Sequence, residues 1–472
     1  MSTEPTGSSS PTGTPAGARS RPRLTITRKD VRYAGWVAFF AWVFSVYDYI
    51  LFGTLLPKIA DDFGWSTEYS TAIATIVSVG TFVVALCVGP LVDRIGRRRG
   101  LIFTTVGAAL SSGLTAISPW AWWLVVVRFI SGLGYSEQAV NSTYLNEMYA
   151  AAEQSGERVK SKGLTYSFIQ GGWPVGVLFA AAMTAVLLPV TGWREIFAIA
   201  TFPAIVIAIL GRKLKETPQF LRMKQVRELL RAGRHDEAAQ LASDYGIPLR
   251  EEERSGGERS PLRALFEPRQ RKHTIFLSAA FLLNWFGVQV FAVLGTTVLT
   301  NGPGVSFSST LVVLIVSNGV AYIGYLVHGI VGDKIGRRET IMAGWLLSGI
   351  SYALMLFVVH GYVGVLATYS IGLFFLIGPY SALLFYMGES YPTRMRGTGT
   401  SVVNAMGPIG AILGGALLTG LLAAGLSMSL AALIAGALAI FLSGFLMLGA
   451  RRIRPGAPPI DQEDLPPSVA AT

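Results

Sequence analysis

The sequence predicts an all-α membrane protein with twelve transmembrane helices in two pseudo-symmetric six-helix bundles. Composition is the first reason: apolar residues make up 51% of the 472 positions and charged residues 14%, against roughly 25% charged in soluble domains. The second is a set of twelve apolar segments, most near the about 20 residues that a helix needs to cross a bilayer core. The third is a short signature present twice, as Gly89-Pro-Leu-Val-Asp93-Arg-Ile-Gly96-Arg97-Arg98 and Gly329-Ile-Val-Gly-Asp333-Lys-Ile-Gly336-Arg337-Arg338, each copy wedged between two long apolar segments. Each copy joins a carboxylate to an arginine cluster on a tight glycine turn, as a helix-to-helix latch at a membrane surface requires.

The spans fall near 33 to 57, 70 to 92, 101 to 118, 120 to 147, 163 to 189, 195 to 211, 274 to 300, 308 to 331, 340 to 359, 362 to 388, 398 to 421 and 427 to 449. They divide the chain into a disordered N-terminal tail (1–30), a first six-helix half (31–212), a linker (213–272), a second half (273–450) and a C-terminal tail (451–472). The tail up to residue 27 is rich in Ser, Thr, Pro, Gly and Arg and lacks an apolar core, unlike a cleaved signal.

The formal net charge of +11 does not point to nucleic acid, because the basic residues sit on one side of the predicted topology. Arg28, Lys29 and Arg32 precede the first span, Arg94 and Arg97 to Arg99 follow the second, Arg158, Lys160 and Lys162 follow the fourth, and Arg451, Arg452 and Arg454 follow the twelfth. On the other side Lys58 stands among Asp61, Asp62 and Glu68, and residues 300 to 307 and 422 to 426 hold no Lys or Arg. The positive-inside rule therefore places both termini in the cytoplasm of a multi-pass cell-membrane protein. Cys87, the single cysteine, lies in an apolar segment and excludes internal disulfides and a multi-cysteine metal site.

From Lys213 to Lys272 the chain is charged. The stretches beginning at Pro218 and His235 read as short amphipathic helices on the cytoplasmic face, and Glu251 to Ser260 has no apolar residue and reads as mobile. The duplication extends past the signatures. Lys162-Gly163 with Pro174 and Gly176 recurs at one constant offset as Arg396-Gly397 with Pro408 and Gly410, and Asn146-Glu147-Met-Tyr parallels Gly388-Glu389-Ser-Tyr. Two similar halves facing a central cavity follow.

An ionisable residue within a span is costly and marks a cavity or a partner. Asp48 lies about nine residues from the outer end of span one and Arg128 about eight from that of span four, so at 1.5 Å per residue both are about 12 to 14 Å deep. Equal depth makes them a candidate pair. Glu137 falls about half a helical turn out of phase with Arg128, so it faces another surface, and is a candidate second proton site or a structural acid.

These residues resemble the major facilitator superfamily across residues 30 to 450. The doubled Gly-x-x-x-Asp-Arg/Lys-x-Gly-Arg-Arg element is similar to its hallmark. Arg128-x-x-x-Gly132-x-Gly134, Gly192-Trp-Arg194, Glu216-Thr-Pro218 and Glu389-Ser-Tyr-Pro392-Thr-Arg-Met-Arg396-Gly are similar to the branch shared by sugar porters and organic-acid proton symporters. The resemblance implies a cytoplasmic gate in which Asp93, Arg97 and Arg98 meet Glu147, and Asp333, Arg337 and Arg338 meet Glu389, with Arg396 nearby. It also implies that Asp48 and Arg128 couple transport to a proton: Arg128 stabilises ionised Asp48, and its removal favours proton uptake. The Glu137-x6-Tyr144-x2-Glu147 spacing resembles sialate and related metabolite symporters, with one residue missing between Gly134 and Ser136.

Substrate class is less legible. Gln170 matches a span-five Gln of sugar porters, but Leu283-Asn284-Trp285-Phe-Gly287-Val-Gln289 replaces their span-seven Gln-Gln element, and Gly378-Pro-Tyr380 to Tyr386 lacks their span-ten Trp. These departures favour a small organic acid over a hexose. Tyr47, Tyr49, Trp173, Trp285 and Tyr380 could stack on a ring, and Asn284, Gln289 and Asn318 are buried amides that a ligand can satisfy. The expectation is a monomeric proton-coupled importer of a small organic acid, not an enzyme and with no cofactor beyond the proton as coupling ion, with a sugar symporter or a proton-driven efflux antiporter as alternatives. No nucleophile elbow, Walker loop or metal-ligand cluster is present in the sequence.

Overall fold

The computed structural model describes residues 26–155, 168, 171–244, 265–392 and 396–453. The N-terminal tail to residue 25, Lys162-Gly163, Gln170, Glu251 to Ser260, the tail beyond Ile453 and the side chain of Arg396 lie outside the described residues.

The described secondary structure is helical, with no strand among the described residues. Helix α1 (Arg28–Phe63) opens with a capping box between Thr27 and Asp30 and stops at Gly64, whose φ of 67° only glycine adopts cheaply. Helices α2 (Thr67–Ile95), capped by Ser66, and α3 (Arg97–Ala116) meet at Gly96. The predicted fourth span is broken into α4 (Ala121–Ile130), α5 (Gly132–Tyr135) and α6 (Glu137–Gln154). The interruptions fall at Ser131 and Ser136, whose hydroxyls donate back to the Arg128 and Gly132 carbonyls, and the glycines between them permit close packing: a side chain at Gly132 would overlap the Thr81 carbonyl, and one at Gly134 would press on Ala108.

Helices α7 (Gly172–Leu187) and α8 (Trp193–Gly211) complete the first set. The linker helices appear as α9 (Pro218–Arg231), capped by Thr217, and α10 (His235–Asp244). They share a small apolar core of Val226, Ala238, Leu241 and Ala242.

Helix α11 (Pro268–Gly287) runs through a π-helical turn at Val288–Val293 into α12 (Gly295–Asn301). Then follow α13 (Phe307–Ile335), α14 (Arg337–Phe357), α15 (Tyr362–Ile377), α16 (Tyr380–Glu389) and α17 (Arg396–Ala423). The last segment is α18 (Met428–Ala432), a second π turn at Leu433–Leu438, and α19 (Ala439–Leu446). The two π turns pack on each other, with Gly436 against Val290 and Phe291. Such turns insert a residue into the helical ladder and recur at functional sites; no sequence periodicity announced them.

Nine helices among the described residues are long and apolar enough to cross a membrane. Helix α1 is buried along most of its length because it packs on α6, α7, α8 and α12. Helices before the linker pack mostly with one another, as do those after it. The two sets meet where α2 lies on α17 and α7 lies on α13. There Thr419 donates to the Thr71 hydroxyl at 3.0 Å, and Gly415 lets α17 approach Thr75.

Candidate functional site

Gly96 and Gly336 take φ of 105° and 110°, a region strained for any residue with a side chain. Each turn aims the next arginine at two carboxylates. Arg97 lies 3.1 Å from Asp93 and 2.9 Å from Glu147, while Arg337 lies 3.0 Å from Asp333 and 2.5 Å from Glu389. Arg98 and Arg338 take other partners than those the resemblance implied: Arg98 donates to the carbonyl of Arg212 at 2.6 Å, and Arg338 to that of Ala450 at 3.1 Å. Both carbonyls lie just past helix ends, where cations are favoured. Arg338 also pairs with Glu339 at 3.0 Å.

The two turns differ in their cover. Glu147 is 7% exposed and accepts a second bond from the Thr217 hydroxyl, whereas Glu389 is 48% exposed. Glu216 accepts from the main-chain N–H groups of Arg97 and Arg98 at 3.0 and 3.1 Å, filling donors that a helix start leaves free. Arg227 of α9 donates to the Asp93 carbonyl at 2.8 Å. Glu216 and Thr217 were absent from the expected gate, although the Glu216-Thr-Pro218 element had been legible.

Asp48 and Arg128, placed at equal depth from sequence, meet in the interior. Arg128 Nη1 lies 3.1 Å from Asp48 Oδ1, and Nη2 donates at 2.9 Å to the Asp48 main-chain carbonyl. The Ser112 hydroxyl of α3 donates to the same Oδ1. The guanidinium lies 5.5 Å from the ring centroids of both Phe52 and Phe197. The two residues are 2% and 1% exposed, and Asp48 Oδ2 has no protein partner. Burying such a pair is recovered only through good geometry and added hydrogen bonds.

Two small cavities lie in the interior, the smaller of them beside Arg128. One, about 30 Å³, is lined by Trp42, Gln138, Trp173, Trp285, Tyr325 and Tyr380 among others. The other, about 10 Å³, lies beside Arg128, Tyr49 and Val293. Tyr380 donates to Asn284 Oδ1 at 2.7 Å, and Trp173 meets Trp285 edge to face at 6.2 Å. The indole N–H groups of Trp42 and Trp285, which line the larger cavity, are buried without a protein partner, as are the Asn284 N–H donors and both polar atoms of the Gln289 amide, whose residues line neither cavity. A space of about 30 Å³ holds only about two waters, so a ring-sized guest requires these walls to part.

Other predicted residues lie apart from the cavities. Tyr47 turns to Phe179, with ring centroids 5.3 Å apart, while Tyr49 lines the smaller cavity; neighbours two apart on a helix face different sides. Asn318 donates to the Leu314 carbonyl of its own helix at 2.9 Å. Glu137 is fully buried and accepts from the Thr104 hydroxyl on a different surface from Arg128, with Oε1 unpartnered. His328 binds the Gly324 carbonyl at 2.8 Å between Phe374 and Phe375. Cys87 is exposed, not packed inside.

Away from the signature turns, α1 and α12 close over the cavities. Thr296 donates to the Gly53 carbonyl at 2.8 Å, and the Val293 carbonyl fills the space that a side chain at Gly53 would need.

The Major Facilitator Superfamily family model matches residues 38–414 and again 277–471. The chain belongs to the Major Facilitator Superfamily. It is a multi-pass membrane transporter of that superfamily. A putative metabolite transport protein of Haemophilus influenzae is 26% identical over 377 residues, covering 79% of this chain and 85% of that protein. A niacin transporter of Acinetobacter baylyi is 24% identical over 390 residues, 80% of this chain and 84% of the relative. A benzoate transport protein of the same organism is 25% identical over 389 residues, 80% of each. The superfamily resemblance drawn from the doubled signature thus holds, and the niacin and benzoate transporters fall by their names on the organic-acid side of it. Trp42, Gln138 and Tyr325 were not singled out from sequence, because an aromatic or amide in an apolar run gives no sign of which way it faces.

Proposed function

We propose that this transporter is a twelve-span, two-bundle proton symporter that imports a small organic acid, an aromatic carboxylate above all, by alternating access. Both termini lie in the cytoplasm in this reading, with the signature turns forming the cytoplasmic gate. The observation that carries it is the Asp48–Arg128 pair, 3.1 Å apart and excluded from water. An acid in such a place is stable either ionised beside its guanidinium or neutral with a proton, and the choice between the two is what coupling needs.

The cargo class is supported by the central walls, which offer indoles and phenols to a ring and unpaired N–H groups to a carboxylate. Niacin and benzoate, carried by two of the relatives according to their names, are both ring carboxylates. Each of the Arg97 and Arg337 clusters joins helices of one set only, so they bias the cytoplasmic gate by holding the helix ends within each bundle, and their sum, not any one pair, shifts the population. Glu137 serves as a second protonation site or as a structural acid held by Thr104.

The test is uptake of labelled benzoate and niacin into proteoliposomes under an inward proton gradient. Accumulation above equilibrium is expected, with Asp48→Asn abolishing accumulation but retaining counterflow. Uphill uptake unaltered by Asp48→Asn overturns proton coupling at this residue.

A further inference from the structure

We propose that the cavity facing away from the signature turns is an entry subsite that holds a ring-bearing carboxylate at Lys58 before it reaches the central walls. The ligand class rests on the function proposed above; the site itself rests on separate observations. At about 310 Å³ this space is far larger than the central ones, of about 30 and 10 Å³, and it falls at the lower end of the range of small-molecule sites, about 300 to 1,000 Å³.

The lining comes from four helix ends: the close of α1, the start of α2, the close of α12 and the start of α13. Leu56 and Thr297 lie beside the Gly53–Thr296 contact, so a guest here waits directly above the closure. Lys58 is the lining cation, with its ammonium 5.4 Å from the Phe307 ring centroid. Trp65 supplies a second aromatic surface, itself stacked on Phe63 at 5.0 Å. The Thr297 hydroxyl, on a residue 3% exposed, has no protein partner and belongs to this lining.

Lys58 is engaged by Asp61 at 3.0 Å, but that carboxylate is 69% exposed. An exposed pair of this kind contributes little, and an ammonium has three donors. A ligand carboxylate therefore joins or displaces Asp61 at small cost, with Thr297 as a neutral donor and the rings as walls for an aromatic body. The same cation sets the sign of the guest. Asp61 lines the same cavity, so an anion is held at the Lys58 ammonium by taking the place of that carboxylate and not by the net charge of the mouth.

The experiment uses the full chain carrying Cys87→Ser and one reporter, Asn301→Cys or, on the opposite wall, Thr67→Cys. A membrane-impermeant maleimide is added to intact cells with and without millimolar benzoate. Benzoate is expected to slow alkylation several-fold at either reporter, and adding Lys58→Gln is expected to abolish that protection. Equal alkylation rates with and without benzoate at both reporters overturn the subsite. Protection that survives Lys58→Gln reports closure around a centrally bound ligand and also overturns it, while favouring the proposed cargo. Protection that depends on Lys58 in a protein that fails to accumulate benzoate would sink the proposed function and leave the subsite standing.

Discussion

Arg128 holds helix α1 twice at Asp48, through the carboxylate at 3.1 Å and through the main-chain carbonyl at 2.9 Å. The second bond does not depend on the charge of the side chain. In the proton-coupled cycle proposed above, a proton at Asp48 would weaken one link without releasing the guanidinium, which keeps the carbonyl and the faces of Phe52 and Phe197. Neutralisation of the acid and movement of the helix would then be separable steps.

Loss of the two partners should be unequal. Asp48→Asn retains the carbonyl bond and is expected to lower stability by about 1 to 3 kcal/mol. Arg128→Met strands a buried carboxylate with Ser112 alone and should cost about 3 to 5 kcal/mol. Thermal unfolding of the detergent-solubilised variants compares them, and equal losses would show that the main-chain bond contributes nothing.

Closure of α1 on α12 should depend on the absence of a side chain at Gly53. Gly53→Val places atoms where the Val293 carbonyl sits and is expected to hold the outer side open. Transport should fall to background while a cysteine at Asn301 reacts faster with external maleimide; an unchanged alkylation rate would mean the contact is not a gate.

The two signature turns should respond differently to the same change. Glu147 is covered and bonded to Arg97 and Thr217, so Glu147→Gln is expected to cost about 1 to 3 kcal/mol. Glu389 is half exposed, and Glu389→Gln should cost about 0 to 1 kcal/mol. Melting temperatures of the two single variants test this order.

Donors in the central walls should matter for affinity. Trp285→Phe keeps a ring but removes the unpaired indole N–H, and is expected to raise KM for benzoate about two- to tenfold, the equivalent of one net hydrogen bond. Tyr47→Phe, altering a hydroxyl directed away from both cavities, should leave KM unchanged. A shift for Tyr47→Phe of the same size would relocate the binding site.

Much of the site was readable because it obeys local rules. The glycine turns at Gly96 and Gly336 announce positive φ, the charge beside them announces a surface, and a carboxylate or guanidinium inside an apolar run has to find a partner. Asp48 and Arg128 are such residues, and so are the arginine partners of Glu147 and Glu389. Tyr47 and Asn318 obeyed no such rule. A tyrosine can face lipid, core or cavity at equal local cost, and an amide can satisfy itself on its own helix, as Asn318 does at Leu314.

The amino-acid sequence determined a membrane chain of repeated halves with an acid and a guanidinium at one depth, since hydrophobic length, charge placement and glycine turns act within a few residues of themselves. Only the tertiary structure decided that Tyr49 and not Tyr47 lines a cavity, that Glu216 and Thr217 cover one signature turn, and that span four breaks at Ser131 and Ser136. Those outcomes depend on which surfaces meet across helices distant in sequence, where close packing permits one arrangement and excludes its near neighbours.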